Sequence, residues 1–333
     1  MKIEQLKGWM PVRVAWEQER PFVEWCLMGE QRFTEPFFEQ TMGTLMRHPF
    51  NLLFRRRTPL ETLVQWQRAS PGLPPTAFIF HMSRCGSTLV SQMLATLPRN
   101  ITISEAAPID SIIRAHLRDP RIEEEERIMW LRAMVSALGQ QRHPEESCFF
   151  IKFDSWHTLS LPLIHRAFPA VPWIFLYRQP IEVLVSQLKH MGSQMLPGVI
   201  EPELLGFGMA EVRGLTTEEY CARVLEKFCR AALQHYNLGG GMLLNYRQLP
   251  EAVWKLLPDF FRVQYTEDEL AAMRQASRFN AKSPSMPFAD DTEAKNRAAT
   301  DELRRLSKIW LDPLYEQLEA LRQEQRYSTI NQE

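Results

Sequence analysis

Residues 76–96 read TAFIFHMSRCGSTLVSQMLAT, and this stretch decides the fold. Its apolar run Ala77–Met82 follows a Leu-Pro-Pro sequence and predicts a buried strand of a parallel sheet. A turn of small residues comes next, and apolar side chains then recur at helical spacing from Leu89 to Leu97. A strand, a tight loop and a helix in direct succession form the architecture of a phosphate cradle.

The loop between this strand and helix carries the groups that an anion needs. Free N–H groups and the positive dipole end of the helix face the loop, and Gly86 allows an anion to approach the backbone closely. Ser87 and Thr88 add hydroxyl donors, and Arg84 adds a fixed positive fork. The ATP and GTP version of this loop has a lysine directly after the last glycine, where this chain has Ser87.

A second motif follows about ninety residues later. Pro172–Tyr177 is another apolar run and predicts a strand, and Pro180 suits the first position of the helix after it. Arg178 therefore falls at the carboxyl end of the strand, and Ser186 falls about two turns into the helix. The sequence thus predicts a second cationic group at the edge of the same sheet.

Together the two motifs resemble the sulfotransferases that use 3'-phosphoadenosine 5'-phosphosulfate (PAPS). Ser83–Leu89 is similar to the 5'-phosphosulfate loop of this family. In this family, an Arg at the end of a strand and a Ser eight residues later hold the 3'-phosphate of the nucleotide. Arg178 and Ser186 have the same spacing. The resemblance covers roughly Thr76–Leu249 and implies that PAPS is the co-substrate. The residues that it assigns to PAPS are Arg84, Cys85, Gly86, Ser87, Thr88, Arg178 and Ser186.

Three further apolar runs predict strands: Ile101–Glu105, Cys148–Asp154 and Met242–Tyr246. Strands that alternate with helices indicate an α/β fold of the P-loop type, with a doubly wound, mostly parallel sheet flanked by helices. Ligands of such sheets bind at the carboxyl ends of the strands. We assign residues 73–333 to this sulfotransferase-like domain, and we expect a C-terminal helix over about 297–323.

Residues 1–72 contain many aromatic side chains and no nucleotide motif. We interpret this segment as a helical appendage whose aromatic residues pack together. It is a candidate for acceptor selection or oligomerisation. The irregular stretch 192–214 is interpreted as a lid over the acceptor. The polar stretch 281–297 lies where the family has a basic loop, and it is either a solvated loop or a cover in which Lys282 or Lys295 contacts the nucleotide.

The resemblance also implies a general base for the acceptor hydroxyl. Cytosolic members have a His after the third strand, and Asp154 occupies that register here. Protein-tyrosine members use a Glu after the second strand, which corresponds to Glu105. We rank Glu105 before Asp154, and His157 or His81 after both.

Two of these residues have a second interpretation. Glu105 instead organises the site if it pairs with Arg84 or Arg178. The thiol of Cys85 lies beside Arg84 and a helix N-terminus, which predicts a lowered pKa, but no His adjoins it and we do not expect a catalytic thiol. In-line transfer of a sulfuryl group needs alignment and neutralisation of the developing charge, which Arg84 and backbone N–H groups supply. We therefore expect no metal.

Composition narrows the class of partner. The chain has 333 residues and a formal charge of −1, so no overall basic field favours nucleic acid. It has no apolar run of about 20 residues that would span a bilayer, and its five scattered cysteines favour a reducing, cytoplasmic location. We expect a small-molecule or peptide acceptor. The alternatives to a sulfotransferase are a nucleotide-binding regulatory module of the same fold without transfer activity, and a P-loop kinase.

Overall fold

The computed structural model describes residues 6–18, 20–288 and 291–330. It contains two antiparallel sheets and a central parallel sheet. The strands are β1 (Trp9–Glu17), β2 (Arg20–Leu27), β3 (Arg56–Pro59), β4 (Ala77–His81), β5 (Asn100–Ser104), β6 (Cys148–Lys152), β7 (Trp173–Tyr177), β8 (Gly241–Asn245), β9 (Phe279–Asn280) and β10 (Ser283–Pro287).

Helices pack around these sheets. A π-helical segment, Ser307–Leu311, joins the last two of them. The α-helices are α1 (Phe38–Met46), α2 (Pro49–Leu53), α3 (Leu60–Ala69), α4 (Ser87–Ala95), α5 (Ala107–Ile113), α6 (Ala115–Arg118), α7 (Glu124–Leu138), α8 (Leu161–Ala167), α9 (Pro180–Lys189), α10 (Met209–Arg213), α11 (Thr217–His235), α12 (Ala252–Lys255), α13 (Leu257–Phe261), α14 (Glu267–Ala276), α15 (Thr292–Ala298), α16 (Asp301–Leu306) and α17 (Asp312–Ile330).

The central sheet has the strand order β5-β6-β4-β7-β8, and all of its strands are parallel. Every residue of β4, β5, β6 and β7 is buried, because helices cover both faces of a sheet of this kind. This architecture confirms the predicted P-loop-type α/β fold. Since β4 lies between β6 and β7, the loop after β4 adjoins the ends of both neighbours.

The amino-terminal segment differs from the expectation of a helical appendage. Its strands β1, β2 and β3 form an antiparallel sheet, with α1, α2 and α3 beside it. The helical interpretation is therefore wrong for the strands, because side chains such as Val14, Val23 and Trp25 favour a pleated, half-buried surface. Strand β1 contacts α5, and α3 packs on α7, so this segment shares one apolar core with the central sheet.

The carboxyl-terminal region contains the expected helix in three parts, since α16, the π-helical segment and α17 follow one another without a break. Over the described part of the chain, every helix is too short or too polar to cross a lipid bilayer.

Candidate active site

A cavity of about 530 Å³ opens at the carboxyl ends of the parallel strands. Residues of both motifs border it, and so do Glu105 and Asp154, which follow the second and third predicted strands. The residues predicted for the site that border this cavity are Arg84, Cys85, Gly86, Ser87, Thr88, Glu105, Asp154, Arg178 and Ser186.

The loop after β4 adopts a backbone conformation that few residues tolerate. The φ angles of Ser83, Arg84 and Gly86 are 76°, 52° and 89°, which is uncommon for residues with a Cβ atom. A Cβ atom on Gly86 would lie 2.7 Å from Cδ1 of Leu249 and 2.9 Å from Cδ2 of Tyr246. Glycine is therefore required at this position both for its φ angle and for space.

Side chains from neighbouring elements hold this loop in place. The N–H of Ser83 donates to Nδ1 of His81 at 3.0 Å. The side-chain amides of Gln187 and Gln194 donate to Oγ of Ser83 at 2.9 and 3.2 Å. Because the strained loop is fixed by these contacts, the N-terminus of α4 is oriented before any ligand arrives.

Cys85 turns its side chain away from the cavity and into the core. Its thiol donates to the carbonyl oxygen of Leu176 at 3.1 Å, and the residue is fully buried. Burial raises the pKa of this thiol to about 12. The prediction of a lowered pKa is therefore wrong, because desolvation outweighs the neighbouring positive charges.

Arg84 links the two motifs directly. Its Nε donates to Oγ of Ser186 on α9 at 2.8 Å. Within residues 6–18, 20–288 and 291–330, no carboxylate forms an ion pair with this guanidinium. Its positive charge therefore has no carboxylate in direct contact in this part of the chain, and Asp291 acts on it only at longer range.

Arg178 has a different environment. Its Nε donates to Oε2 of Glu182 at 2.6 Å, and its Nη2 lies 3.2 Å from Oδ1 of Asp291. The guanidinium also lies 3.9 Å from the centre of the Tyr246 ring, a cation–π distance. Arg178 and Glu182 are both buried, so this cation is held by carboxylates of the protein itself.

Glu105 pairs with a residue that the sequence did not indicate. Nζ of Lys152 donates to Oε1 of Glu105 at 2.5 Å, and Nε2 of His81 lies 3.6 Å from the same oxygen. Burial would raise the pKa of Glu105, but Lys152 and His81 outweigh burial and hold the pKa below its usual range. The suggested pairing of Glu105 with Arg84 or Arg178 is replaced by this pair between the buried Lys152 and the partly buried Glu105.

Asp154 shows the opposite behaviour. It follows β6, and its side chain is almost fully buried at the cavity wall. Burial raises the pKa of Asp154 well above its usual value, and the nearby carboxylates of Glu105 and Asp110 raise it further. Of Glu105 and Asp154, Asp154 is therefore the one with the stronger affinity for a proton.

The sequence did not decide whether the stretch 281–297 is a solvated loop or a cover of the site. Both of its lysines, Lys282 and Lys295, border the cavity. Burial, Arg84 and Lys152 lower the pKa of Lys282 to about 8. Nζ of Lys295 lies 2.8 Å from Oδ2 of Asp291, the residue that also contacts Arg178. Ala289 and Asp290, which belong to this stretch, lie outside the described residues.

Several lining residues could not be found from the motifs. Tyr246 follows β8, and Phe37 comes from the amino-terminal segment and lies near the end of β6, where Nζ of Lys152 is 4.7 Å from its ring centre. Neither Tyr246 nor Phe37 belongs to the two anion-binding motifs, so reasoning from those motifs could not find them.

These observations first define a class. The chain is an α/β protein with a strand–loop–helix anion cradle that lacks the lysine of ATP- and GTP-binding loops, and a second arginine borders the same cavity. Residues 75–227 match the family model described as the sulfotransferase family. This match confirms the resemblance to sulfotransferases that was drawn from the two motifs.

No curated protein matches the chain significantly in sequence. Solved structures that are similar to it include a sulfotransferase domain from the curacin biosynthetic pathway, with 16% identity, 71% of this chain and 97% of that chain covered, and a TM-score of 0.42. A sulfotransferase from Alicyclobacillus acidocaldarius has 14% identity, coverages of 75% and 96%, and a TM-score of 0.45. A retinol dehydratase in a complex with retinol and PAP has 14% identity, coverages of 78% and 87%, and a TM-score of 0.39.

Proposed function

We propose that this protein is a PAPS-dependent sulfotransferase that moves a sulfuryl group to a hydroxyl or amine of an acceptor. One observation carries the proposal. Arg84 and Arg178, which are more than ninety positions apart in the chain, border the same cavity together with the anion loop and Ser186. A nucleotide with phosphate groups at two ends needs two such cationic positions in one cavity.

The base of the nucleotide also has room. A second cavity of about 410 Å³ adjoins the first and shares Leu89, Arg178, Tyr246 and Phe288 with it. Apolar and aromatic walls of this kind suit a purine, because its flat faces stack on such side chains. We place the adenosine across this boundary, with the sulfuryl end at the loop after β4.

The loop supplies the electrostatics of transfer. As the bond between sulfur and the phosphate oxygen breaks, negative charge appears on that oxygen. The guanidinium of Arg84 and the N–H groups at the start of α4 neutralise it. Because these groups are fixed by Ser186 and by the strained loop, they need little reorganisation during the reaction.

Asp154 serves as the general base in this proposal. A base works best when its pKa lies near the working pH, since it must take up a proton and yet be unprotonated beforehand. The raised pKa of Asp154 meets this need better than the lowered pKa of Glu105. Glu105 then organises Lys152 and His81 beneath the site.

The acceptor side is bordered by Phe37, Trp156 and Met191 near the two carboxylates. Apolar and aromatic walls suit a small molecule or a peptide side chain that carries the accepting group. Part of the stretch proposed as a lid, residues 192–194, also borders the cavity. The five cysteines are free and buried, which supports the predicted cytoplasmic location.

The decisive experiment compares nucleotides by calorimetry on the full chain. Adenosine 3',5'-bisphosphate should bind at least about tenfold more tightly than 5'-AMP, because one charge-assisted contact is worth about 1.5–3 kcal/mol. Labelled PAPS should then be turned over to adenosine 3',5'-bisphosphate, first with water as the acceptor.

Each alternative gives a different result. Binding of adenosine 3',5'-bisphosphate without any turnover of PAPS, in water or with a panel of phenols and alcohols, would indicate a regulatory module. Turnover of Mg²⁺-ATP with no binding of the bisphosphate would indicate a kinase. Equal affinity for the bisphosphate and 5'-AMP would remove the role of Arg178.

A further inference from the structure

Behind Asp154 lies a buried group of side chains that the proposed function does not use. His157 belongs to a short 3-10 turn, Ser155–Ser160, that begins directly after Asp154. Its imidazole is 1% exposed and stands between two carboxylates, those of Asp154 and Asp110. A buried imidazole in such a position can be a metal ligand, part of a proton path or a structural link between the two carboxylates.

The Asp110 side of this group is fully hydrogen-bonded. Oδ1 of Asp110 accepts from Nε1 of Trp156 at 2.7 Å and lies 2.9 Å from Nε2 of His157. Oδ2 accepts from Nη1 of Arg114 at 2.8 Å. Burial opposes ionisation, but His157 and Arg114 lower the pKa of Asp110 to about 2, so this group stays a carboxylate.

The contact with Asp110 determines which ring nitrogen of His157 carries a proton. A carboxylate can only accept a hydrogen bond, so Nε2 of His157 carries the proton that points to Asp110. Nδ1 is then left with a lone pair. This atom is buried and has no hydrogen-bond partner within the described residues, and it lies 3.7 Å from Oδ2 of Asp154.

The separation of 3.7 Å is informative. When Asp154 is ionised, Nδ1 and Oδ2 both present lone pairs and no proton lies between them, which matches a separation beyond hydrogen-bond distance. A proton that arrives on Asp154 would complete this missing bond. The geometry is that of a path that is ready to receive one proton.

We propose that His157 accepts the proton that Asp154 removes from the acceptor, and that Asp110 holds the imidazole in the tautomer that can receive it. This inference rests on the proposed sulfuryl transfer. His157 and Asp110 act through Asp154, and they are positioning residues in the sense that neither touches the acceptor.

The acceptor oxygen forms a bond to sulfur while the bond between sulfur and the 5'-phosphate oxygen of PAPS breaks. The phosphate keeps that electron pair, and adenosine 3',5'-bisphosphate leaves. The proton of the acceptor hydroxyl passes to Asp154 and on to Nδ1 of His157, which becomes an imidazolium between two carboxylates and later returns the proton to water.

A metal ion is the other occupant that this group suggests, since ligand atoms of Asp110, Asp154 and His157 lie within 4.8 Å of one another. The geometry disfavours it. The two ring nitrogens face different carboxylates, so the imidazole bridges them and does not converge with them on one point. The oxygens of Asp110 are also occupied by Trp156, His157 and Arg114.

The first test is spectroscopic and uses a variant only to assign the signal. The full chain is labelled with ¹⁵N-histidine, bound to adenosine 3',5'-bisphosphate, and studied by NMR at pH 7. The signal of His157 is assigned among the eight histidines from its loss in His157→Gln. We expect a neutral ring with the proton on Nε2. A proton on Nδ1 would overturn the proposal.

The second test is kinetic, with water as the acceptor of the sulfuryl group from PAPS. His157→Gln should lower kcat about 100-fold, the lower range for general base catalysis, while its affinity for adenosine 3',5'-bisphosphate stays within twofold. Asp110→Asn should lower kcat and move the proton of His157 to Nδ1. His165→Gln on α8 is the matched control and should leave kcat unchanged.

Contrary outcomes are distinct. If His157→Gln keeps the kcat of the wild type, the proposed proton transfer from Asp154 to His157 is wrong, while the proposed sulfotransferase activity is unaffected. If the wild-type protein neither binds adenosine 3',5'-bisphosphate nor consumes PAPS, both the proton transfer to His157 and the proposed sulfotransferase function are wrong. Activity that disappears on dialysis against EDTA and returns with Mg²⁺, Mn²⁺ or Zn²⁺ only when His157 is present would replace the relay with a metal site.

Discussion

The two arginines that border the cavity, Arg84 and Arg178, have different electrostatic environments. Arg84 lies on a strained loop beside a helix N-terminus, donates one hydrogen bond to Ser186, and has no carboxylate partner among the described residues. Arg178 is buried against Glu182 and also contacts Asp291. Arg84 is therefore available to an anion without loss of a carboxylate contact, whereas Arg178 is held by two carboxylates of the protein.

This difference predicts that the two arginines contribute differently to catalysis and to the stability of the fold. A guanidinium without a carboxylate in direct contact is a poor contributor to stability but a strong site for developing negative charge. A buried ion pair contributes little net stability, yet loss of one partner is costly because the other charge stays buried. Substitutions at the two positions should therefore give different patterns of activity and stability.

The largest effect is expected for Arg84→Ala. Removal of one preorganised charge at the reacting group should lower kcat for PAPS turnover about 10²–10³-fold. The melting temperature should stay within about 1 °C, since only one hydrogen bond, to Ser186, is lost. Steady-state kinetics and a thermal melt of the same preparation check both expectations. Arg13→Ala, on an exposed part of β1, is the matched control.

Arg178→Ala should weaken binding of adenosine 3',5'-bisphosphate about 10- to 100-fold, because it removes a charge-assisted contact. Unlike Arg84→Ala, it should also destabilise the fold by about 3–5 kcal/mol, since Glu182 is left buried without its partner. Calorimetry and denaturant unfolding measure the two effects.

A double variant separates these two effects of Arg178. Arg178→Met combined with Glu182→Gln should recover most of the stability and none of the affinity, because no unpaired charge remains buried. If the double variant is as unstable as Arg178→Ala, the pair with Glu182 is not the reason for the loss, and the contrast with Arg84 fails.

The sequence predicted the parts of the site that depend on local order. A strand, a loop and a helix that follow one another in the chain determine where Arg84 and Gly86 lie, and a strand followed by Pro180 determines where Arg178 lies. Both arginines then meet because β4 and β7 are neighbours in the sheet. Parallel strands bring their carboxyl ends to one edge, so this result follows from the fold class.

The partner of Glu105 could not be predicted in the same way, because it depends on strand order. Strand β5 pairs with β6 at the far side of β4, and its register sets Ser104 opposite Lys152. The residue after Ser104 therefore meets Lys152 and lies away from β7 and Arg178. The amino-terminal sheet was missed for a different reason: the count of aromatic residues does not distinguish a strand from a helix, whereas their β-branched neighbours do.

A smaller effect concerns the pH dependence of binding through Lys282. The pKa of this lysine is lowered to about 8 in the free protein, and a bound phosphate favours the protonated form. Affinity for adenosine 3',5'-bisphosphate should therefore fall about tenfold from pH 7 to pH 9, as the unbound lysine loses its proton. Lys282→Met should bind more weakly at pH 7 and show a flat profile by calorimetry. Lys255→Met, exposed on α12, should keep the slope of the wild type.

The smallest effect is expected for Asp291→Asn, and it has the opposite sign. The carboxylate of Asp291 lies against Arg178 and Lys295, and it competes with phosphate for both cations. Its side chain is half-exposed, so its removal should strengthen binding of adenosine 3',5'-bisphosphate only about two- to fivefold, the worth of a solvated ion pair. Calorimetry at low salt measures this gain, and 0.5 M NaCl should reduce it, since screening weakens the competition. A loss of affinity in Asp291→Asn would mean that Asp291 supports Arg178 in the bound state, and both arginines would then be equally prepared for the nucleotide.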